Sequence, residues 1–170
     1  GKLRDLGELA RECAAWNRQG LVVVLVNGAF DLLHVGHLRY LAGARGLGDR
    51  LVAAVNSDRS VRASKGELRP IVPEAERVEI LSHLWMVDRI CLFDDATVAR
   101  ILELLKPAVH AKGSDYTVDS VPEREVVAAY GGHAAGIPAA GAYGAGVAAT
   151  GALAVSASLP SLISKLSSFR

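Results

Sequence analysis

The sequence predicts an α/β fold: a single domain built on a Rossmann-like, doubly wound parallel sheet. Three observations predict it. Apolar, β-branched-rich runs at 21–26, 51–55, 90–93 and 108–111 do not alternate with polar residues, so both faces of each strand are expected to be buried. Segments of helical period separate these runs. Strand alternating with helix then demands right-handed crossovers, which cover both faces of the sheet. A length of 170 residues suits one compact domain, and 51% hydrophobic residues can fill its core.

The elements follow in order. Leu6, Leu9, Ala10 and Cys13 recur at helical spacing, which predicts a helix over 3–18 ended by Gly20. Leu21 to Val26 is the first strand, and Leu38, Leu41 and Ala42 mark the next helix. Leu51 to Val55 is the second strand, followed by a helical stripe of Val78, Leu81, Leu84 and Trp85. Ile90 to Phe93 is the third strand. Val98, Ile101, Leu102 and Leu105 mark a helix that must stop before Pro107. Ala108 to Ala111 is a weaker fourth strand, and Pro122 suits the first turn of a further helix. The pattern divides the chain into a core, 1–132, and an Ala/Gly-rich tail, 133–170. That tail is either loosely packed or a final strand followed by a closing helix.

Bulk properties exclude several classes. A formal net charge of +1 leaves no basic field for a nucleic-acid partner, so any anion must be held by a local site. Cys13 and Cys91 match no metal-ligand spacing, and no metal site of the protein's own is expected. No apolar run is long enough for a membrane span, and the charged, amphipathic start does not read as a signal peptide. With so few cysteines, a reducing, cytoplasmic setting is expected.

Ligands of open α/β sheets sit at the carboxyl ends of the strands, so the residues after Val26 should line a site. They read Asn27-Gly28-Ala29-Phe30-Asp31-Leu32-Leu33-His34-Val35-Gly36-His37. Gly28 is expected to let the backbone turn where the strand stops. His34 and His37, three apart, should share a face of the first helical turn. Gly36 should clear space for an approaching phosphate, and the helix start adds unpaired N–H groups. Two imidazoles beside a helix amino end make an anion receptor suited to phosphoryl transfer. Losing one such donor typically costs roughly 3 kcal/mol of barrier. A zinc pair is the competing reading of His-x-x-His, but no third ligand stands at a diagnostic spacing. Two ordinary surface histidines are the other.

The run from Gly28 to His37 resembles the G-x-F-D-x-x-H-x-G-H signature of the cytidylyltransferase-like nucleotidyltransferase superfamily. The resemblance implies that His34 and His37 contact a triphosphate and stabilise its pentacoordinate transition state. It places Asn27, Gly28, Ala29, Phe30 and Gly36 around the nucleotide phosphates. Downstream, Val55-Asn56-Ser57-Asp58-Arg59-Ser60-Val61, Lys65-Gly66-Glu67-Leu68-Arg69-Pro70-Ile71, Glu76-Arg77, Val87-Asp88 and Lys112-Gly113-Ser114-Asp115-Tyr116 are similar to the adenylyltransferases of ADP-heptose synthesis. That similarity spans about Leu3 to Gly132. It implies ATP with Mg²⁺ carried on the nucleotide, a heptose 1-phosphate as acceptor, a separate sugar kinase upstream and a homodimer. The superfamily's closing Ser/Thr-rich helix start has its nearest counterpart at Ser158-Leu159-Pro160-Ser161, which makes Ser158 a candidate nucleotide contact.

The remaining candidates carry open alternatives. Lys65, in a Gly-bearing loop, reads as a mobile charge for phosphate and the third catalytic group, or as an ordinary solvated loop lysine. Arg69 is either a bidentate phosphate contact or the partner of Glu67 or Glu74. Arg77 is expected to orient loops through an ion pair. Lys112 and Gly113 follow the fourth strand as nucleotide contacts. Asp115 accepts from a hydroxyl, helps hold magnesium, or is a turn residue. Asp31 and Asp58 each either cap a helix or touch the acceptor sugar, with capping expected for Asp31.

The phosphate site reads no base. A cytidylyltransferase for glycerol 3-phosphate or a phosphorylated amino alcohol therefore stands as one alternative. A nucleotide-binding partner of a sugar kinase, without catalysis, is the other.

Overall fold

A computed structural model describes residues 1–113 and 123–137, all within one compact unit. Their order is α1 (Leu6–Arg18), β1 (Val23–Gly28), α2 (Val35–Arg45), β2 (Arg50–Asn56), α3 (Asp58–Lys65), α4 (Glu74–His83), β3 (Arg89–Phe93), α5 (Ala99–Leu105), β4 (Val109–Lys112), α6 (Arg124–Ala129) and β5 (His133–Gly136). The five strands form one parallel sheet in the order β3-β2-β1-β4-β5. The chain winds outward from β1 to β3, then crosses back to lay β4 on the other side of β1. The reversal leaves a crevice between the carboxyl ends of β1 and β4, the topological switch point where such sheets bind ligands.

The non-alternating strands are buried on both faces. Val23, Val24, Leu25 and Val26 are all fully buried, and so are Leu51 to Val55. Val24 and Val26 pack with Leu41 of α2 and Leu81 of α4 on one face. Val23 and Leu25 pack with Leu9 and Cys13 of α1, Ile101 and Leu102 of α5 and Val127 of α6 on the other. Each such aliphatic side chain stabilises the fold by about 1.5–3 kcal/mol on burial, so the central strand anchors the whole domain.

Several boundaries differ from expectation for identifiable reasons. α1 begins at Leu6 because Asp5 caps it, accepting from the Glu8 N–H at 2.9 Å. The residues before it run along the sheet edge instead: Leu3 bridges Ile90 in parallel, and the Ile90 N–H donates to the Lys2 carbonyl. β1 starts two residues late, because the Val22 N–H is taken by the Asp49 carboxylate at 2.8 Å. α4 closes at His83, so Leu84 and Trp85 of the predicted stripe lie beyond the helix, and Trp85 is 76% exposed. α3 went unpredicted, since it buries only Ser60 and Val61 and carries no apolar stripe. Ser57 starts it by accepting from the Ser60 N–H at 3.1 Å. α5 ends at Leu105 with Lys106 in a left-handed conformation, before Pro107, which cannot continue the helix.

β5 falls within the residues assigned to the tail, pairing His133 to Gly136 with β4. Pro122 lies outside the described residues. Among the described residues, no helix is long and apolar enough to cross a membrane.

Candidate active site

A cleft of about 580 Å³ opens at the switch point, over the ends of β1 and β4 and the start of α2. Asn27, Gly28, Ala29, Phe30 and Asp31 line it from the loop after β1. His34, Gly36 and His37 come from α2, Lys65 from α3, and Lys112 with Gly113 from the end of β4. The fold thus gathers residues scattered over 87 positions of sequence, from 27 to 113.

The turn after β1 is made at Phe30, not at Gly28. Phe30 has a positive φ of 49°, whereas Gly28 ends the strand without one. A left-handed non-glycine residue costs on the order of 1–3 kcal/mol and persists only where its surroundings hold it. Here the holding comes from burial: Phe30 is 3% exposed, and its ring lies 5.8 Å from that of His37. A Cβ on Gly28 would meet the Phe30 ring at 3.5 Å, an ordinary contact, so space does not require the glycine.

The histidines meet as expected, but by a specific device. His34 is the N-cap of α2, and its Nδ1 accepts from the Gly36 N–H at 3.0 Å. His37 reaches back so that its Nδ1 accepts from the His34 N–H at 3.4 Å. This is a capping box written with two imidazoles. Because each Nδ1 accepts, the proton of each neutral ring sits on Nε2, which leaves two N–H donors beside the open helix start. The rings lie 4.2 Å apart. Burial, then the charges of His34 and Lys65, lower the His37 pKa below its ordinary 6.5, which keeps that ring neutral near pH 7. Gly36 lines the cleft and also serves this cap. A Cβ there would stand 2.7 Å from His34 Cε1 and 2.9 Å from Nδ1, so only glycine lets the ring fold over the helix start.

Asp31 does not cap α2. Its Oδ1 accepts from the N–H groups of Ile71 and Val72, each at 2.9 Å, and Oδ2 accepts from Arg69 Nη1 at 2.9 Å. Burial would raise its pKa, but these three donors outweigh burial and hold the carboxyl below its ordinary range. Arg69 accordingly pairs with Asp31, not with Glu67 or Glu74, and the pair staples the 66–72 loop to the loop after β1.

Asp58 is the first residue of α3 and lies in a separate groove beside Ser57 and Asp94, away from the cleft. Its Oδ1 accepts from Arg77 Nη2 at 2.8 Å. Arg77 is fully buried and also donates to the carbonyls of Val72 and Ala29. One guanidinium therefore ties the loops after β1 and β2 and the start of α4 together, the loop-orienting role expected of it.

Lys65 is the last residue of α3 rather than a loop residue. Its exposed side chain enters the cleft from a helix end that Gly66 terminates at φ 95°. Lys112 ends β4 almost buried, its Nζ 3.6 Å from Glu123 Oε2. Burial lowers its pKa, and Glu123 opposes that fall. Asp115 and Ser158 lie outside the described residues. Among the described residues, no group of three or more His, Cys, Asp or Glu side chains is placed to hold a metal ion.

Sequence reasoning missed Tyr40, Asn56 and Ser64 as lining residues. Tyr40 stands three residues after His37 on the same helix face, a readable signal. Its hydroxyl donates to the Ala111 carbonyl at 2.7 Å and ties α2 to β4 across the crevice. Asn56 ends β2 as Asn27 ends β1, and donates to Ser60 Oγ at 3.0 Å.

A family model described as cytidylyltransferase-like matches residues 25–135, the span that builds this cleft. The chain is 50% identical over 131 residues to the bifunctional protein HldE of Geobacter sulfurreducens, covering 77% of this chain and 27% of that protein. It is 48% identical over 137 residues to the bifunctional protein HldE of Koribacter versatilis, covering 81% and 28%. The chain thus spans little more than a quarter of the length of these relatives. Among solved structures, the lipopolysaccharide core biosynthesis protein of Thermoplasma volcanium superposes with a TM-score of 0.61 at 31% identity, covering 69% of this chain and 97% of that one. Pantothenate synthetase of Thermus thermophilus, at 19% identity and a TM-score of 0.58, shares the fold. With the signature from Gly28 to His37 folded around one cleft at the switch point, the chain belongs to the cytidylyltransferase-like family of nucleotidyltransferases.

Proposed function

We propose that this domain transfers AMP from ATP to a heptose 1-phosphate, giving ADP-heptose and pyrophosphate. The observation that carries the reading is the pair of imidazoles whose Nδ1 atoms are spent on the helix cap, leaving both Nε2–H groups for an anion. A phosphate oxygen of the acceptor attacks the α-phosphorus in line. The new O–P bond forms as the bond to the β-phosphate bridging oxygen breaks, and the electron pair leaves with pyrophosphate. Negative charge grows on the phosphate oxygens, where His34 and His37 donate and Lys65 supplies a mobile positive charge. Asn27, the backbone from Gly28 to Phe30, Gly36, Lys112 and Gly113 complete the phosphate and nucleotide surroundings. Asp115 and Ser158 extend that set. No covalent enzyme intermediate is involved.

Among the described residues the cleft is lined by cations, neutral donors and apolar groups, and the one carboxylate there, Asp31, is occupied by Arg69 and two backbone N–H groups. That chemistry fits Mg²⁺ arriving on the triphosphate, where it neutralises charge on the leaving group. Asp31 and Arg69, at the edge of the cleft, are the acceptor-side residues of this reading. Asp58 acts on the acceptor only through Arg77 and the loop after β1.

The choice of acceptor is supported by similarity to the HldE proteins and to a lipopolysaccharide core biosynthesis protein. The resemblance of the sequence motifs to adenylyltransferases of ADP-heptose synthesis likewise motivates a cytoplasmic setting, a homodimer and a sugar kinase as the source of the sugar phosphate. Pyrophosphate release measured for ATP and CTP against heptose 1-phosphate and glycerol 3-phosphate tests the assignment. Turnover is expected for ATP with the heptose phosphate. Turnover confined to CTP with glycerol 3-phosphate would replace it with the cytidylyltransferase reading. ATP binding without any product would replace it with a non-catalytic one.

A further inference from the structure

His110 lies in β4, fully buried and outside every role assigned above. Its Nε2 is 3.0 Å from Oδ1 of Asn27, and its Nδ1 is buried with no hydrogen-bond partner among the described residues. The sheet register explains the meeting: Leu25 pairs with His110, and Asn27 follows two residues later on the same face of β1. Asn27 lines the cleft, and its Nδ2 has no protein acceptor among the described residues.

Only two hydrogen-bond arrangements join these side chains. In one, His110 donates Nε2–H to Oδ1, and the amide nitrogen of Asn27 is left for the cleft. In the other, the amide is flipped, Asn27 donates to an unprotonated Nε2, and its carbonyl oxygen is left for the cleft. Burial, with the charge of Lys112 adding to it, pushes the His110 pKa down to about 3, so the ring is neutral and holds one proton. The flipped arrangement puts that proton on Nδ1, a buried N–H without an acceptor, which is a costly defect. It also turns an oxygen toward a cleft whose other groups, His34, His37, Lys65 and Lys112, receive anions.

We propose that His110 is a positioning residue: by donating Nε2–H to Asn27 Oδ1, it locks the Asn27 amide with its Nδ2–H groups presented to a phosphate oxygen of the bound nucleoside triphosphate. The proposal rests on the nucleotidyl-transfer reading of the cleft. The ring touches no substrate. It decides whether Asn27 meets the triphosphate as a donor or as an acceptor.

Two measurements on the full chain test this. Long-range ¹H–¹⁵N correlation spectra at pH 7 should show His110 with its proton on Nε2, and a proton on Nδ1 overturns the proposal. Calorimetric titration with Mg-ATP then compares variants. Gln places an amide nitrogen where Nε2 stands, Asn reaches only the position of Nδ1, and Leu fills the space without a donor. His110→Leu and His110→Asn should each weaken ATP binding about tenfold, the size of one lost hydrogen bond to a charged ligand, and His110→Gln should restore most of it. Asn27→Ala and the Asn27→Ala, His110→Leu double variant should bind ATP equally, since one amide carries both effects. Losses that multiply in the double variant, or a Gln variant as weak as Leu, mean His110 acts through packing alone and overturn the proposal. If the unaltered protein binds no ATP, the nucleotidyl-transfer reading itself falls. If it binds ATP and His110→Leu binds as well, only the positioning role falls.

Discussion

His34 and His37 cap each other across the first turn of α2, each Nδ1 accepting a backbone N–H and the rings standing 4.2 Å apart. The cap does two things at once. It satisfies two of the orphan donors of the helix start, and it fixes both imidazoles as the tautomer with Nε2–H outward. Structure and chemistry therefore cannot be separated at these positions by asking which role a histidine plays.

They can be separated by substitution. His34→Asn and His37→Gln keep side chains able to accept from the backbone and so preserve part of the cap. Both should fold with near-normal stability and lose about 10²–10³ in kcat, the usual size of a lost transition-state donor. Pyrophosphate release checks it, and full turnover in both would refute the catalytic assignment.

Gly36→Ala is expected to leave the fold intact and damage the site. The added methyl collides with the His34 ring, an exposed side chain that can swing away, while alanine improves helix propensity by about 0.5–1 kcal/mol. Thermal melting should change little, and kcat should fall at least about tenfold from the displaced donor. Gly28→Ala, facing only an ordinary contact with Phe30, should cost less activity. Equal losses in both would mean that the His34 cap is not what Gly36 protects.

Arg77→Met should unfold the loops that frame the cleft. It removes a fully buried guanidinium and leaves the Asp58 carboxylate and two carbonyls without their donor. The expected loss is about 3–5 kcal/mol by urea denaturation, characteristic of a broken buried ion pair. The Asp58→Asn, Arg77→Met double variant should lose less than the sum of the two single changes, because they break one network. A loss under about 1 kcal/mol for Arg77→Met would show that the network contributes little.

Acid should destabilise the domain before most carboxylates titrate. His110 and His37 have folded pKa values below their unfolded value of 6.5, His110 at about 3. Between these limits the unfolded chain binds protons that the folded chain refuses. Their contribution is therefore fully present above pH 6.5 and is lost as pH falls through that window. Unfolding free energy measured from pH 7 to 5 should decline, and His110→Leu should flatten the decline. An unchanged slope in that variant would mean that His110 is already solvated and protonated in the folded protein.

Much of the architecture was legible because its causes are local or one-dimensional. Runs such as Val22 to Val26 and Leu51 to Val55 declare double-sided burial by lacking alternation, and Pro107 forces a helix to end whatever surrounds it. The signature from Gly28 to His37 was likewise readable, since its residues are close in sequence. The loop partners were not. Asp31 read as a cap because caps are local, yet it bonds to Arg69, Ile71 and Val72, 38 to 41 residues away. α3 stayed hidden because a short helix on the surface needs no apolar stripe to form.

By itself, then, the order of residues determined the strands, the helices that cross between them and the place where a phosphate would be received, since hydrophobic period and backbone stereochemistry act along the chain. Only the tertiary structure decided that the turn is strained at Phe30, that Gly36 makes room for the His34 ring, and that a buried histidine in β4 faces Asn27. The first two depend on how side chains settle against one another once the chain is folded; the last depends on β1 and β4 pairing, and no local pattern encodes a meeting between residues 83 positions apart.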